Sequence, residues 1–185
     1  MAKIKQQPVP KVVEPALEEA GIKIKNYKSV TSFENDLKKF IKRNEVLHLS
    51  TCRKNTPRAT PLGYFSEGLT VFVLSEGGAK FQNLKENKKV SFSIAEPYFV
   101  AKDFFGNKGL QAWGTAKVYS KKKNPGQFAE ALKRMNIKNI VRGKRRLAPE
   151  DLPPFNYRII EITPDRIKYG NPREGVYHIT WDKKG

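Results

Sequence analysis

The feature that most constrains the fold is a switch at Glu45 from helical spacing to short runs rich in β-branched and aromatic residues: EVLHLSTC, RATPLGYF and LTVFVLS. Such runs suit pleated, half-buried strands. RKNTP separates the first pair and SEG the second, and connections this short make antiparallel hairpins the economical arrangement. The same character returns in KVSFSIAE and GLQAWGTAKVYS, and again in FNYRIIEIT, DRIKYG and GVYHITW. Many short antiparallel strands favour a closed barrel, which removes exposed edges. The expected class is mainly β with added helices, an α+β chain.

Three helical stretches interrupt the strands. Phe33, Leu37, Phe40 and Ile41 form one apolar stripe, with Lys38, Lys39, Lys42 and Arg43 on the remainder. TSFE, Thr31 to Glu34, reads as the capping box that starts this helix. AKFQNLKEN turns Phe81 and Leu84 to one face, and GQFAEALKRM does the same with Phe128, Leu132 and Met135 after Pro125, a residue suited to a first helical position. Residues 1–28 mix Pro8, Pro10 and Pro15 with scattered charge, and read as an extended arm with at most a short helix at EPALEEAG, outside the core. Residues 29–185 are expected to form a single domain.

Hydrophobic residues make up 38% of the 185, with 11 Phe, 7 Tyr and 2 Trp, enough apolar material to fold without staples. Cys52 is the single cysteine, so no intramolecular disulfide forms, and MAKIKQQPVP has no apolar run of the signal-peptide kind. A reducing cytoplasm is the expected location. No stretch approaches the roughly 20 apolar residues that a membrane-spanning helix needs, so no membrane partner is expected. The net charge of +18 biases the chain toward anionic partners, and Lys121 to Arg146, with KKKNPG and VRGKRR, holds ten basic residues against one acidic.

Chemistry-bearing motifs are sparse. His48 and His178 are the two histidines, and neither has a Cys, His or carboxylate at metal-ligand spacing, so no metal site is expected. Strand-surface imidazoles are the simpler reading. Cys52 lacks a nucleophile's sequence context, and no nucleophile elbow, Walker lysine motif or dinucleotide fingerprint follows a strand. Two segments remain, SEGGAK (Ser75 to Lys80) and PRATPLGY (Pro57 to Tyr64), each placing a cation at a strand end beside hydrogen-bond donors. Gly77 and Gly78 can take positive φ and bring backbone N–H groups toward an anion at the start of the following helix. For this segment alone, an ordinary strand-to-helix corner with a solvated lysine is the simpler reading.

Taken together, LSTC, PRATPLGYF, VFVLS, GGAK, LKENKKV and GTA (Gly114 to Ala116) resemble, in order and spacing, the FMN-binding split barrels related to pyridoxamine 5'-phosphate oxidase. The resemblance runs from about Val46 to Val118 and continues more loosely to Trp181. It implies an antiparallel split β-barrel of the FMN-binding type. By the same resemblance Arg58 and Lys80 contact the phosphate of FMN, with Gly78 beside them. Ala59, Thr60 and Pro61 lie along the isoalloxazine ring, and Val73, Leu74 and Ser75 continue that wall. It further implies a homodimer with the cofactor between subunits. Ala79 stands where the nearest oxidases of the family place an Arg. IKYGNPREGVYHITW lacks their substrate signature, so pyridoxamine 5'-phosphate itself is not the expected substrate. Arg173, Tyr177 and His178 are candidates to face the pocket, with no catalytic role assigned.

The expected function is therefore a flavin-dependent oxidoreductase, with FMN as cofactor and a small, anionic molecule as substrate. An alternative keeps the barrel as a non-catalytic carrier of flavin, deazaflavin or haem. A third reading assigns the basic block to nucleic acid. The block's lack of interleaved aromatic residues weighs against that reading.

Overall fold

The computed structural model describes residues 1–137 and 147–184. Its strands are β1 (Lys3–Gln6), β2 (Val46–Arg53), β3 (Thr56–Gly63), β4 (Phe65–Glu67), β5 (Thr70–Ser75), β6 (Lys89–Ala95), β7 (Gly109–Ser120), β8 (Arg158–Asn171) and β9 (Val176–Asp182). The helices are α1 (Glu14–Glu19), α2 (Val30–Arg43), α3 (Ala79–Glu86) and α4 (Pro125–Met135). Strand order is β1-β9-β8-β7-β6-β2-β3, while β5 pairs with β4 and β8. The sheet does not close on itself: β1 and β3 end the order, which makes the architecture a split rather than a closed barrel. FNYRIIEIT and DRIKYG, expected as separate strands, join into β8. Its ladder to β5 ends at Ile162 and its ladder to β9 starts at Arg166, so Pro164 falls where neither requires its missing N–H.

The chain divides into two compact units. The first comprises Met1–Asn44, Phe92–Trp113 and Pro164–Gly185. Its core is the α2 stripe, with Phe33, Leu37, Phe40 and Ile41 all buried. Phe33 and Phe40 lie 6.2 and 5.2 Å from the Tyr169 ring. Two expectations are corrected here. α2 begins at Val30, and its cap is Ser29, whose Oγ accepts from Ser32 N–H at 3.1 Å. With that donor satisfied upstream, Glu34 is free to accept from Trp181 Nε1 at 2.9 Å. Residues 1–28 are also not a detached arm. β1 pairs along β9, with Ile4 opposite Trp181, and Leu17 and Ile22 are buried. Four polar-looking residues suffice because the edge of β9 supplies the hydrogen-bond partners.

The second unit comprises Glu45–Ser91 and Gly114–Thr163. β2 and β3 form a hairpin whose two loop residues, Lys54 and Asn55, take φ of 47° and 59°, as a type I′ turn requires. β5 carries α4 on one face: Phe72 and Ile159 pack against Phe128, Ala131, Leu132 and Met135. Arg134 fastens α4 at its far end through Glu67 at 2.7 Å and the buried Glu161 at 3.3 Å. Of the basic segment 121–146, VRGKRR lies outside the described residues.

Candidate functional site

The site is assembled on β3, β5 and α3 within the second unit. β3 ends the strand order, so among the described residues its outer edge has no strand partner, and Pro57 and Pro61 remove two of its N–H donors. Register sorts its side chains. Arg58 lies opposite Thr51 and Thr60 opposite Leu49, on the face where Thr51 and Leu49 are buried. Ala59 and Pro61 point to the other face, opposite Ser50 and His48, and both are exposed. A flat ligand that meets Ala59, Thr60 and Pro61 in succession therefore does so through the main chain.

α3 is fixed to β2 by side chains. Asn83 Nδ2 donates to Thr51 Oγ1 at 3.0 Å, both residues being buried. Asn87 Nδ2 donates to the Cys52 carbonyl at 3.3 Å, and Arg53 pairs with Glu86 at 2.9 Å. Thr51 is also the register partner of Arg58, so the residue that positions α3 positions the cation of β3. Gly78 precedes α3 with φ of 106°, a conformation open to glycine. One turn upstream of Asn83, Lys80 is only 7% exposed, and its Nζ donates to the Gly77 carbonyl at 2.5 Å. Burial, and then the charge of Arg58, push its pKa below the ordinary lysine range. Among the described residues no carboxylate pairs with Lys80 or Arg58. A buried ammonium without a counter-charge is costly, and an anion seated beside it removes that cost.

The remaining sequence candidates separate. Ser75 ends β5 opposite Arg158, on the face that carries Val73. Val73 is 1% exposed, so its side chain is closed off by the core. Leu74 turns to the opposite face and packs with Phe72 and α4. Thr60 Oγ1 is buried with no hydrogen-bond partner, an orphaned group beside the Arg58 strand position. Sequence reasoning missed Arg158 and Phe81. The guanidinium of Arg158 lies 4.8 Å, and Nζ of Lys80 5.0 Å, from the centre of the Phe81 ring. No local signal marks Arg158, because its place depends on the register of β5 with β8.

The donor set fits a phosphate-bearing cofactor: two cations without counter-charge among the described residues, a glycine-shaped approach to α3, and an unpaired hydroxyl two residues from Arg58 on β3. Arg58 and Lys80 would hold the phosphate and the β3 main chain would run along a ring system.

The first unit holds a separate cavity of about 290 Å³ lined by Tyr169, Tyr177, His178, Lys168 and Gln111, among others. His178 adopts φ of 38°, unusual for a non-glycine residue, and meets the Tyr177 ring edge-on at 4.5 Å. Burial and then Lys168 lower its pKa, which favours neutral imidazole. Arg173 is not among the lining residues. Its guanidinium is engaged by Asp103.

Residues 33–170 match the sequence profile of the family described as pyridoxamine 5'-phosphate oxidase. No curated protein sequence matches the chain at a significant level. Several solved structures share the fold. A candidate pyridoxamine 5'-phosphate oxidase from Listeria innocua aligns with TM-score 0.54 at 19% identity, over 75% of this chain and 98% of its own. General stress protein 26 from Bacillus anthracis aligns with TM-score 0.50 at 23% identity, over 74% and 92%. The haem storage protein HutZ from Vibrio cholerae aligns with TM-score 0.52 at 21% identity, over 71% and 89%.

Proposed function

Because the chain belongs to the pyridoxamine 5'-phosphate oxidase family, we propose that it binds FMN through Arg58 and Lys80 and acts as a flavin-dependent oxidoreductase on a small anionic molecule. The observation that carries this reading is the buried Lys80, which feels the charge of Arg58 and has no carboxylate partner among the described residues. Bound FMN supplies hydride or electron transfer, chemistry no side chain provides. The chain's own part is to bind and orient. Arg58 and Lys80 take the phosphate, Gly78 keeps the start of α3 open to it, and the unpaired edge of β3 offers main-chain groups to the ring. The lack of the oxidase substrate signature after Tyr169 argues for a substrate other than pyridoxamine 5'-phosphate.

The unpartnered edge of β3 also supports a homodimer in which a second copy completes the cofactor site, and light scattering should return twice the chain mass. The expected location is the cytoplasm; among the described residues no helix is long and apolar enough to cross a membrane.

The experiment is an absorption spectrum of the purified protein with a titration of added FMN, followed by reduction with NADH or NADPH. Micromolar FMN binding and reduction by one donor support the oxidoreductase. FMN binding without reduction by any donor favours a carrier. A second reading, haem carriage, draws on the haem named for HutZ of Vibrio cholerae and for the haem-binding protein of Mycobacterium smegmatis, which aligns at 13% identity over 75% of this chain and 53% of its own. A Soret band on haem addition, with no FMN binding, would replace the flavin reading with that one.

A further inference from the structure

Two cations meet at one aromatic ring in the second unit, and the charge of a third bears on one of them. Phe81 is 4% exposed, with Lys80 and Arg158 at 5.0 and 4.8 Å from its centre, and the charge of Arg58 reaches Lys80. They come from three separate elements: Arg58 from β3, Lys80 from α3 and Arg158 from the first position of β8. Arg158 is opposite Ser75, on the face of the β5–β8 ladder away from α4, so it stands at the head of the turn that leads through Gly77 and Gly78 to Lys80. Exposure is graded, from the exposed Arg58 through the half-buried Arg158 to the buried Lys80.

Among the described residues none of the three has a carboxylate within ion-pair distance, although Arg53 on β2 and Arg134 on α4 are each paired. Cations gathered without a counter-charge, one of them buried, are unfavourable unless an anion joins them. A phosphate monoester carries about −1.5 to −2 charges at neutral pH and three acceptor oxygens, which offers one acceptor to each of the three cations.

We infer that Arg158, whose guanidinium lies over the Phe81 ring, is the third ligand of a phosphate-monoester clamp with Arg58 and Lys80, and that it sets the preference of this site for a phosphorylated over an unphosphorylated ligand. The inference rests on the FMN reading and deepens it. The cation–π contact with Phe81 restrains the guanidinium before the ligand arrives, so less side-chain freedom is lost on binding. Its place also answers the uncharged Ala79: the second arginine of the site comes from β8 instead of from the residue beside the lysine.

The test compares FMN with riboflavin, which carries the same ring and no phosphate, by flavin-fluorescence titration of the full chain in phosphate-free buffer. Wild type should prefer FMN. Arg158→Gln should weaken FMN at least about tenfold and leave riboflavin unchanged, with Arg158→Lys intermediate. Unchanged riboflavin affinity reports that the variants remain folded. If Arg158→Gln keeps the wild-type preference for FMN, the inference falls and the FMN reading stands. If both variants lose both flavins, Arg158 is a packing residue only, which also overturns it. If wild type binds neither flavin, or does not prefer FMN, the FMN reading itself fails and the inference goes with it.

Discussion

At the scale of single residues, two positions carry consequences of opposite sign. Gly175 has φ of 73°, and a Cβ there would lie 1.9 Å from the carbonyl oxygen of Lys23. Its own carbonyl accepts from Lys25 N–H at 2.9 Å. Gly175→Ala should therefore cost at least about 2 kcal/mol, from the left-handed backbone and the displaced segment together, and thermal or denaturant unfolding would read this loss. Lys80 behaves the other way. Its folded pKa lies below that of the unfolded chain, so the unfolded state binds more protons over the interval between the two. Stability in anion-free buffer should rise as pH increases from the folded pKa toward the ordinary lysine value of about 10.4. Lys80→Met keeps the packing and removes the charge, so it should unfold at a higher temperature than wild type without ligand and lose any stabilisation that the proposed FMN binding gives wild type. A lower melting temperature for the variant in anion-free buffer would contradict the account of an uncompensated charge.

At the scale of elements, α3 is the part on which the site depends. Asn83→Ala leaves Thr51 Oγ1 without its donor and removes one of the three contacts that fix α3 to β2. A cost of about 1–2 kcal/mol is expected, with weaker FMN binding because Lys80 lies on the same helix; calorimetric unfolding and flavin titration would measure the two effects. The helices themselves were legible in the sequence, since the stripes at Phe33, Phe81 and Phe128 are local periodicities. So were the cation at each end of the site and the glycine before Lys80. Strand identity was legible, but partnership was not. The hairpin expected at SEG forms between β4 and β5, but β5 also pairs with β8, and nothing local in LTVFVLS or RIIEI specifies a partner so distant in the chain. The same long-range register hides Arg158 from any reading of motifs. β1 escaped notice because KIKQ has too little apolar pattern to signal a strand, and its stability comes from the edge it completes.

For the whole molecule, the net charge of +18 should act on rates more than on contacts. The association rate of FMN, a dianion drawn to a cationic surface, should fall steeply between low salt and about 0.15 M, where the screening length is about 8 Å. Stopped-flow fluorescence would follow it, and a rate independent of salt would dismiss steering. Ionic strength should affect riboflavin far less. The pairing of Lys3 with Asp182 has a different consequence, for engineering. Residues near the two ends of the chain sit side by side on adjacent strands, so a linker of a few residues should join them without distortion. New ends could then open at the exposed Lys54–Asn55 turn. A circularly permuted chain made this way should fold, and should present its new ends beside Arg58, where a fused reporter would sense occupancy of the cofactor site directly.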